Sequence, residues 1–283
     1  MFVWLASYPK SGNTLVRSMI AAYFFSQDGN YNFELIKNIN QFPNIKLFER
    51  MGIDITKEKE VLKNYIRVQE SFNKKNATQF LKTHSYLFNI DNNPFTDLNN
   101  TLGVIYIVRD PRNVATSVAN HMSISKEEAT RIMIEDFKFG GDLSSKNSER
   151  TRVYMGTWGG NYNSWKSLKE HGKYLLIKYE DLISNRDFIF RKILKFLHEL
   201  KDTKFKIDQE KFKNVIQTTD FSLMKNLEKK SGFYEAKTNP KTGKKVPFFN
   251  LGPENDWKKI LPVELKVKIE KHYKKEMKEL GYL

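Results

Sequence analysis

Three short runs of the 283-residue chain carry side chains suited to holding anions and moving a proton. The first is Ser7-Tyr8-Pro9-Lys10-Ser11-Gly12-Asn13-Thr14, which lies between an apolar run, Phe2 to Ala6, and apolar residues at helical spacing from Thr14 to Gln27. Strand, tight turn and helix N-terminus in that order bring unpaired backbone N–H groups, a lysine and hydroxyls to one point, which suits a phosphate. An ordinary strand-to-helix turn with an incidental lysine fits the same residues. The Walker A pattern G-x-x-x-x-G-K-[ST] is not met, because Lys10 precedes Gly12. That counts against an ATPase or GTPase.

The second run, Arg109-Asp110-Pro111-Arg112-Asn113-Val114-Ala115-Thr116-Ser117, follows the buried-strand pattern Val104 to Val108. Asp110 reads as an N-cap and Pro111 as the first position of a helix running to about His121. Arg109 then stands where sheets of this type bind anions, although a salt bridge to Asp110 or Glu180 would also account for it. Ser117 could equally bond to its own preceding turn. The third run is Leu81-Lys82-Thr83-His84, at the end of a strand over Gln79 to Thr83. A histidine is the side chain best suited to taking a proton from a hydroxyl near neutral pH, and a structural histidine is the plain alternative. His121, His171, His198 and His272 read as structural and show no metal-ligand spacing.

These runs must be positioned by the elements between them. Strands over Phe2–Ala6, Gln79–Thr83, Val104–Val108 and Tyr174–Tyr179, separated by helical stretches, predict an α/β fold: one domain over residues 1–283, with a central parallel sheet flanked by helices on both faces. Ligands of such sheets bind beyond the carboxyl ends of the strands, where each of the three runs falls. Residues 231–245 read as a long mobile loop.

Composition narrows the class. A 40% hydrophobic fraction with 21 Phe and 13 Tyr excludes a disordered chain. The net charge of +15 fits a polyanionic ligand or, equally, lysine-rich solvated faces such as residues 57–60 and 271–278, where acidic and basic residues alternate. With no cysteine there is no disulfide, thiolate zinc site or thiol nucleophile, which suits a reducing compartment. No run reaches the roughly 18 apolar residues of a membrane span, and residues 1–6 are too short an apolar run for a signal peptide, so the cytoplasm is the expected address. Two rival functions stand beside anion-transfer chemistry: a P-loop-type nucleotide kinase, from the strand–loop–helix, and a basic nucleic-acid-binding protein, from the charge.

Together the motifs resemble those of the cytosolic sulfotransferase family. Tyr8 to Thr14 is similar to that family's 5'-phosphosulfate loop, Tyr-Pro-Lys-Ser-Gly-Thr-Thr-Trp, with Asn13 in place of a threonine and Leu15 in place of the tryptophan that packs on adenine. The resemblance implies Lys10 beside the bridging oxygen of the leaving phosphate and the backbone of Ser11, Gly12, Asn13 and Thr14 around the 5'-phosphate. Arg109 and Ser117, eight residues apart, resemble the 3'-phosphate pair. Lys82-Thr83-His84 resembles the catalytic segment, implying His84 as general base and Lys82 as a cation beside the sulfuryl oxygens. Tyr179-Glu180-Asp181 resembles a segment whose tyrosine enters the nucleotide pocket, and its acidic pair also suits a helix start. Phe221, in Thr219-Asp220-Phe221, resembles an adenine-contacting aromatic and fits core packing equally.

Residues 250–257 are similar to the loop Arg-Lys-Gly-x-x-Gly-Asp-Trp, but only Gly252, Asp256 and Trp257 match. Loss of the two cations leaves the N–H groups of Leu251 and Gly252 to reach the 3'-phosphate, with Lys244 or Lys245 as substitute charges, or else a lower donor affinity. The family's C-terminal dimerisation segment is not recognisable after Trp257. What the resemblance implies overall is a P-loop-like, nucleotide-kinase-like sulfotransferase fold. The implied reaction is an in-line displacement without a metal, from 3'-phosphoadenosine 5'-phosphosulfate (PAPS) to a hydroxyl or amine of a small-molecule, sugar or lipid acceptor. It releases 3',5'-adenosine bisphosphate (PAP), and no nucleic-acid partner is expected.

Overall fold

The computed structural model describes residues 1–74, 77–135, 138–139 (backbone only), 153–239 and 242–283. Five strands form its central sheet: β1 (Phe2–Ser7), β2 (Asn40–Gln41), β3 (Gln79–Thr83), β4 (Thr101–Val108) and β5 (Tyr174–Lys178). They lie in the order β2-β3-β1-β4-β5, and every neighbouring pair is parallel. Four of the five follow the apolar runs of the sequence. The remaining one, β2, is two residues long and shows no periodicity. Tyr179, expected at the end of β5, instead opens a helix.

The strand order fixes where a ligand can sit. From β1 the chain builds β2 and β3 on one side, then crosses to β4 and β5 on the other, so β1 stands at the switch point of the sheet. Loops leaving the carboxyl ends of β1, β3, β4 and β5 therefore converge on one edge. These are the loops carrying Lys10, His84, Arg109 and Tyr179.

Both faces of the sheet are covered, which explains the unbroken apolar strands. Phe2, Trp4 and Ala6 of β1 join a core with Leu81, Val104 and Tyr106, while Val3 and Leu5 join a second core with Ile105, Ile107 and Ile177. Trp4 is fully buried, its ring 5.1 Å from Phe95 and 6.1 Å from Trp165, and its indole N–H donates to Thr101 Oγ1 at 3.0 Å. That bond satisfies the one polar atom an indole brings into a core.

The helices that frame the binding edge are α1 (Asn13–Phe25), α2 (Pro111–Met122), α3 (Tyr179–Ser184) and α4 (Phe221–Ser231). Helix α2 starts as its sequence demands, with the Asp110 carboxylate accepting from Arg112 N at 2.9 Å and Pro111 at the first position. Arg112 then ties this start to distant parts of the chain. Its guanidinium pairs with Asp110 and Glu270, donates to the Tyr282 carbonyl at 2.9 Å and lies 4.0 Å over the Trp257 ring. Among the described residues no helix is long and apolar enough to cross a membrane. Of the expected loop 231–245, residue 231 still belongs to α4 and Phe233 is buried, while the described residues after 231 hold no helix or strand beyond a Thr238–Lys245 bridge, and residues 240–241 lie outside the described residues.

Replacing Arg112 by Met removes one partner of a largely buried ion pair and leaves Asp110 uncompensated. The expected cost is about 3 kcal/mol, readable as a lower midpoint in urea unfolding; an unchanged midpoint would refute the anchoring role.

Candidate active site

The turn after β1 is forced into an uncommon backbone. Lys10 has φ 65° and Gly12 φ 101°, both left-handed, and α1 begins immediately afterwards at Asn13. Such a conformation is natural for glycine and costs energy for lysine, so the surroundings must impose it. A Cβ on Gly12 would lie 2.5 Å from the Tyr179 ring, so the absence of a side chain lets this turn rest on the first residue of α3. Asn13 points inward: its amide donates to Leu5 O at 2.9 Å and Ser7 Oγ at 3.2 Å. The residue standing for a family threonine thus pins the turn to its own strand, and of its donors only the backbone N–H remains for an anion. Ser11 is buried, with its hydroxyl unpartnered among the described residues.

Arg109 joins three parts of the edge. Its guanidinium donates to Lys10 O at 3.3 Å and Gly252 O at 3.0 Å and lies 4.2 Å over the Tyr179 ring. It makes neither of the salt bridges that the sequence left open. Asp110 is engaged by Arg112, and Glu180 accepts from Asp110 N and from the Tyr282 hydroxyl. Arg109 Nε is buried without a partner among the described residues. The segment after Gly252 is fastened to α2, with Asn255 donating to Asn113 O at 2.9 Å and accepting from Thr116, and Trp257 N donating to the Asn113 amide oxygen. A Cβ on Gly252, whose φ is 53°, would strike the Phe221 ring at 2.2 Å. Phe221 therefore lies directly under that segment.

His84 is oriented by its backbone surroundings. Its Nδ1 lies 2.8 Å from Ser7 O. A carbonyl can only accept, so Nδ1 carries the proton and Nε2 keeps its lone pair. Burial, reinforced by the Lys82 charge, lowers the His84 pKa to about 3, so the ring is neutral at physiological pH. Lys82 is buried within β3, and its ammonium lies 3.1 Å from Glu235 Oε1, which also accepts from Arg17 at 2.8 Å. Lys10 lies 4.0 Å over the Phe248 ring. Burial lowers its pKa to about 7; the Glu235 charge opposes that fall, while Arg109 and Lys82 add to it.

These groups line one cavity of about 980 Å³. Lys10, Gly12, Asn13 and Thr14 from the first turn line it, as do Lys82, His84, Arg109 and Ser117. Tyr179, Phe221, Leu251 and Gly252 complete the set, while Ser11 lies behind the lining. Leu15 also borders the cavity. Two expectations need correction. Lys244 and Lys245 are solvent-exposed and do not border the cavity, whereas Lys237 does. His121, taken as structural, borders it too, edge-on to Phe248 at 5.7 Å between ring centres. Sequence reasoning missed Arg17, Tyr234, Glu235 and Phe248. For Arg17 the signal was present, a lone guanidinium within the apolar helical run Val16 to Ile20; for Glu235 there was none.

Comparison with known proteins gives a consistent answer. The family model described as "Sulfotransferase domain" matches residues 2–281. Sulfotransferase 1E1 of Homo sapiens is 27% identical, over 97% of this chain and 83% of its own length. The luciferin sulfotransferase of Photinus pyralis is 22% identical, over 96% and 70%. Among solved structures, mouse sulfotransferase SULT7A1 complexed with PAP superposes with a TM-score of 0.59 at 16% identity, covering 98% of this chain and 84% of that one. Retinol dehydratase in complex with retinol and PAP gives 0.61, also at 16%, covering 98% and 81%. At such identities these two likenesses speak for the fold alone.

The His84 geometry has a direct spectroscopic signature. Nitrogen-detected NMR of the ligand-free protein is expected to find His84 neutral, protonated on Nδ1 and not titrating between about pH 5 and pH 8. A midpoint near that of a free imidazole would contradict the arrangement.

Proposed function

Because the chain belongs to the sulfotransferase domain family, we propose that this cavity binds PAPS and passes its sulfuryl group to a hydroxyl or amine of an acceptor, with residues 1–283 acting as one catalytic domain. The observation that carries the reading is the convergence, on one cavity, of the Lys10 turn, the Arg109 strand end and an imidazole whose Nε2 lone pair is free. Neither the nucleotide kinase nor the nucleic-acid reading gains support from the family match.

The residues fit a nucleotide of this kind. Arg109 borders the cavity and its Nε is a buried donor without a partner among the described residues, and the absent Cβ of Gly12 keeps the turn open beside Tyr179. Groups left in that state are costly unless a ligand satisfies them. When bound, PAPS would supply a sulfuryl group already joined to a phosphate leaving group. The N–H groups from Ser11 to Thr14 at the start of α1 suit the 5'-phosphate. Arg109, Ser117 and the backbone of Leu251 and Gly252 suit the 3'-phosphate, and Tyr179 and Phe221 offer faces to the base.

The catalytic roles follow from charge and lone pairs. Protonated Lys10 stabilises negative charge developing on the leaving oxygen, and Lys82 does so at the transferring oxygens. His84 Nε2 is placed to take the acceptor proton, with its lone pair available because the ring is neutral at physiological pH. The two lysines supply positive charge where a metal would otherwise serve, so the reading needs none.

Replacing His84 by Ala is expected to lower turnover about 10²- to 10⁴-fold while leaving PAP affinity in place; full activity with labelled donor would remove the base assignment. Lys10 gives a second check. Its pKa in the free protein is about 7, and an anionic ligand stabilises the charged form and raises it. In the window above 7 the complex therefore holds a proton that the free protein lacks. PAP binding should take up that proton and weaken as pH rises, by up to about tenfold per unit. Calorimetry in buffers of different ionisation enthalpy measures it; no proton uptake near pH 7.5, or the same uptake in Lys10→Arg, would overturn the assignment.

A further inference from the structure

The wall beside His84 is more polar than a single-hydroxyl acceptor requires. Glu235 receives three donors through one oxygen: Arg17 at 2.8 Å, Lys82 at 3.1 Å and the Tyr234 hydroxyl at 3.3 Å all meet Oε1. Its Oε2 has no hydrogen-bond partner among the described residues, although the residue borders the cavity and is largely buried. Burial would raise the Glu235 carboxyl, yet Lys82 and Arg17 outweigh it and hold the group below the usual carboxylate range. An ionised oxygen in such a place calls for an O–H or N–H donor from the ligand.

A second polar group points the same way. Strand β2 pairs with β3 in the register Gln41 to Lys82, so the two side chains leave the sheet on one face. Gln41 borders the cavity, and its side chain makes no hydrogen bond among the described residues. From the other face of the sheet, Ile132, Val153 and Met155 give the cavity an apolar side. The Glu235 carboxylate is already matched by the charges of Arg17 and Lys82, so an ammonium-bearing acceptor finds no unopposed carboxylate there.

We propose that Glu235 Oε2 and the Gln41 amide bind hydroxyls neighbouring the one to be sulfated, and that the acceptor is a neutral polyhydroxylated ring of carbohydrate type. Such a ring has hydroxyl edges for Glu235 and Gln41 and a C–H face for the apolar side. A lone phenol or alcohol would leave Oε2 dehydrated and unpaired. The inference rests on the sulfotransferase reading above.

The test measures kcat/KM with labelled PAPS for methyl glucoside and myo-inositol against cyclohexanol and 4-nitrophenol, with PAP affinity measured separately on each protein. The polyols are expected to be preferred. Glu235→Gln should lower the polyol-to-monohydroxyl ratio about 10- to 100-fold, the range for a hydrogen bond to a charged group, and Gln41→Leu about 3- to 10-fold, the range for a neutral one. Gln41→Leu leaves the Arg17–Glu235–Lys82 cluster intact, so its ratio decides the matter should Glu235→Gln fail to fold. A preference for the monohydroxyl acceptors, or an unchanged ratio in both variants, overturns the acceptor assignment alone when PAP still binds. Absence of PAP binding to the unmodified protein overturns this inference and the sulfotransferase reading together.

Discussion

Positive charge held together against its own repulsion is the constraint on which this structure turns. Lys10, Arg17, Lys82 and Arg109 all border one cavity, with the Glu235 carboxylate between two of them. The sheet makes that concentration possible, since strands of a parallel sheet end on the same side and β1 sits where the strand order reverses. Burial makes it expensive, and the depressed pKa of Lys10 is where the strain surfaces. A polyanion relieves it, so the site is organised around a ligand charge that the protein alone does not supply.

The parts of this site that could be read in the sequence are local ones. A phosphate turn needs a strand, a glycine and a helix start within about a dozen residues, and these are contiguous here, as are Lys82 with His84 and Arg109 with Ser117. The sheet was equally legible where strands are long and buried on both faces. What could not be read depends on contacts distant in the chain. Glu235 meets Lys82 across 153 positions, and no periodicity encodes that meeting. Strand β2 is too short to leave a pattern, yet it brings Gln41 to the same face as Lys82. Arg17 did leave a signal, a charge at a buried position on α1 that helical spacing assigns to an apolar residue, but its meaning comes only from its partners, Ile39 O, Tyr234 and Glu235.

The altered segment at 250–257 shows how a motif can keep its position while losing its charges. Gly252, Asp256 and Trp257 are the positions that the backbone path requires: Gly252 for its left-handed turn above Phe221, Asp256 to cap the next helical turn through Lys258 N, and Trp257 to lie beneath Arg112. With Asn250 and Leu251 in place of the two cations, the segment approaches the cavity through backbone and through the Arg109–Gly252 contact.

That contact bears on how tightly an occupant is held. Two arms of the Arg109 guanidinium are already spent on the carbonyls of residues 10 and 252. A guanidinium has five N–H donors, so the others, Nε–H among them, remain for an anion without either bond being broken. An occupant is thereby met by a side chain whose position is settled beforehand, so little ordering of that side chain remains to oppose its arrival.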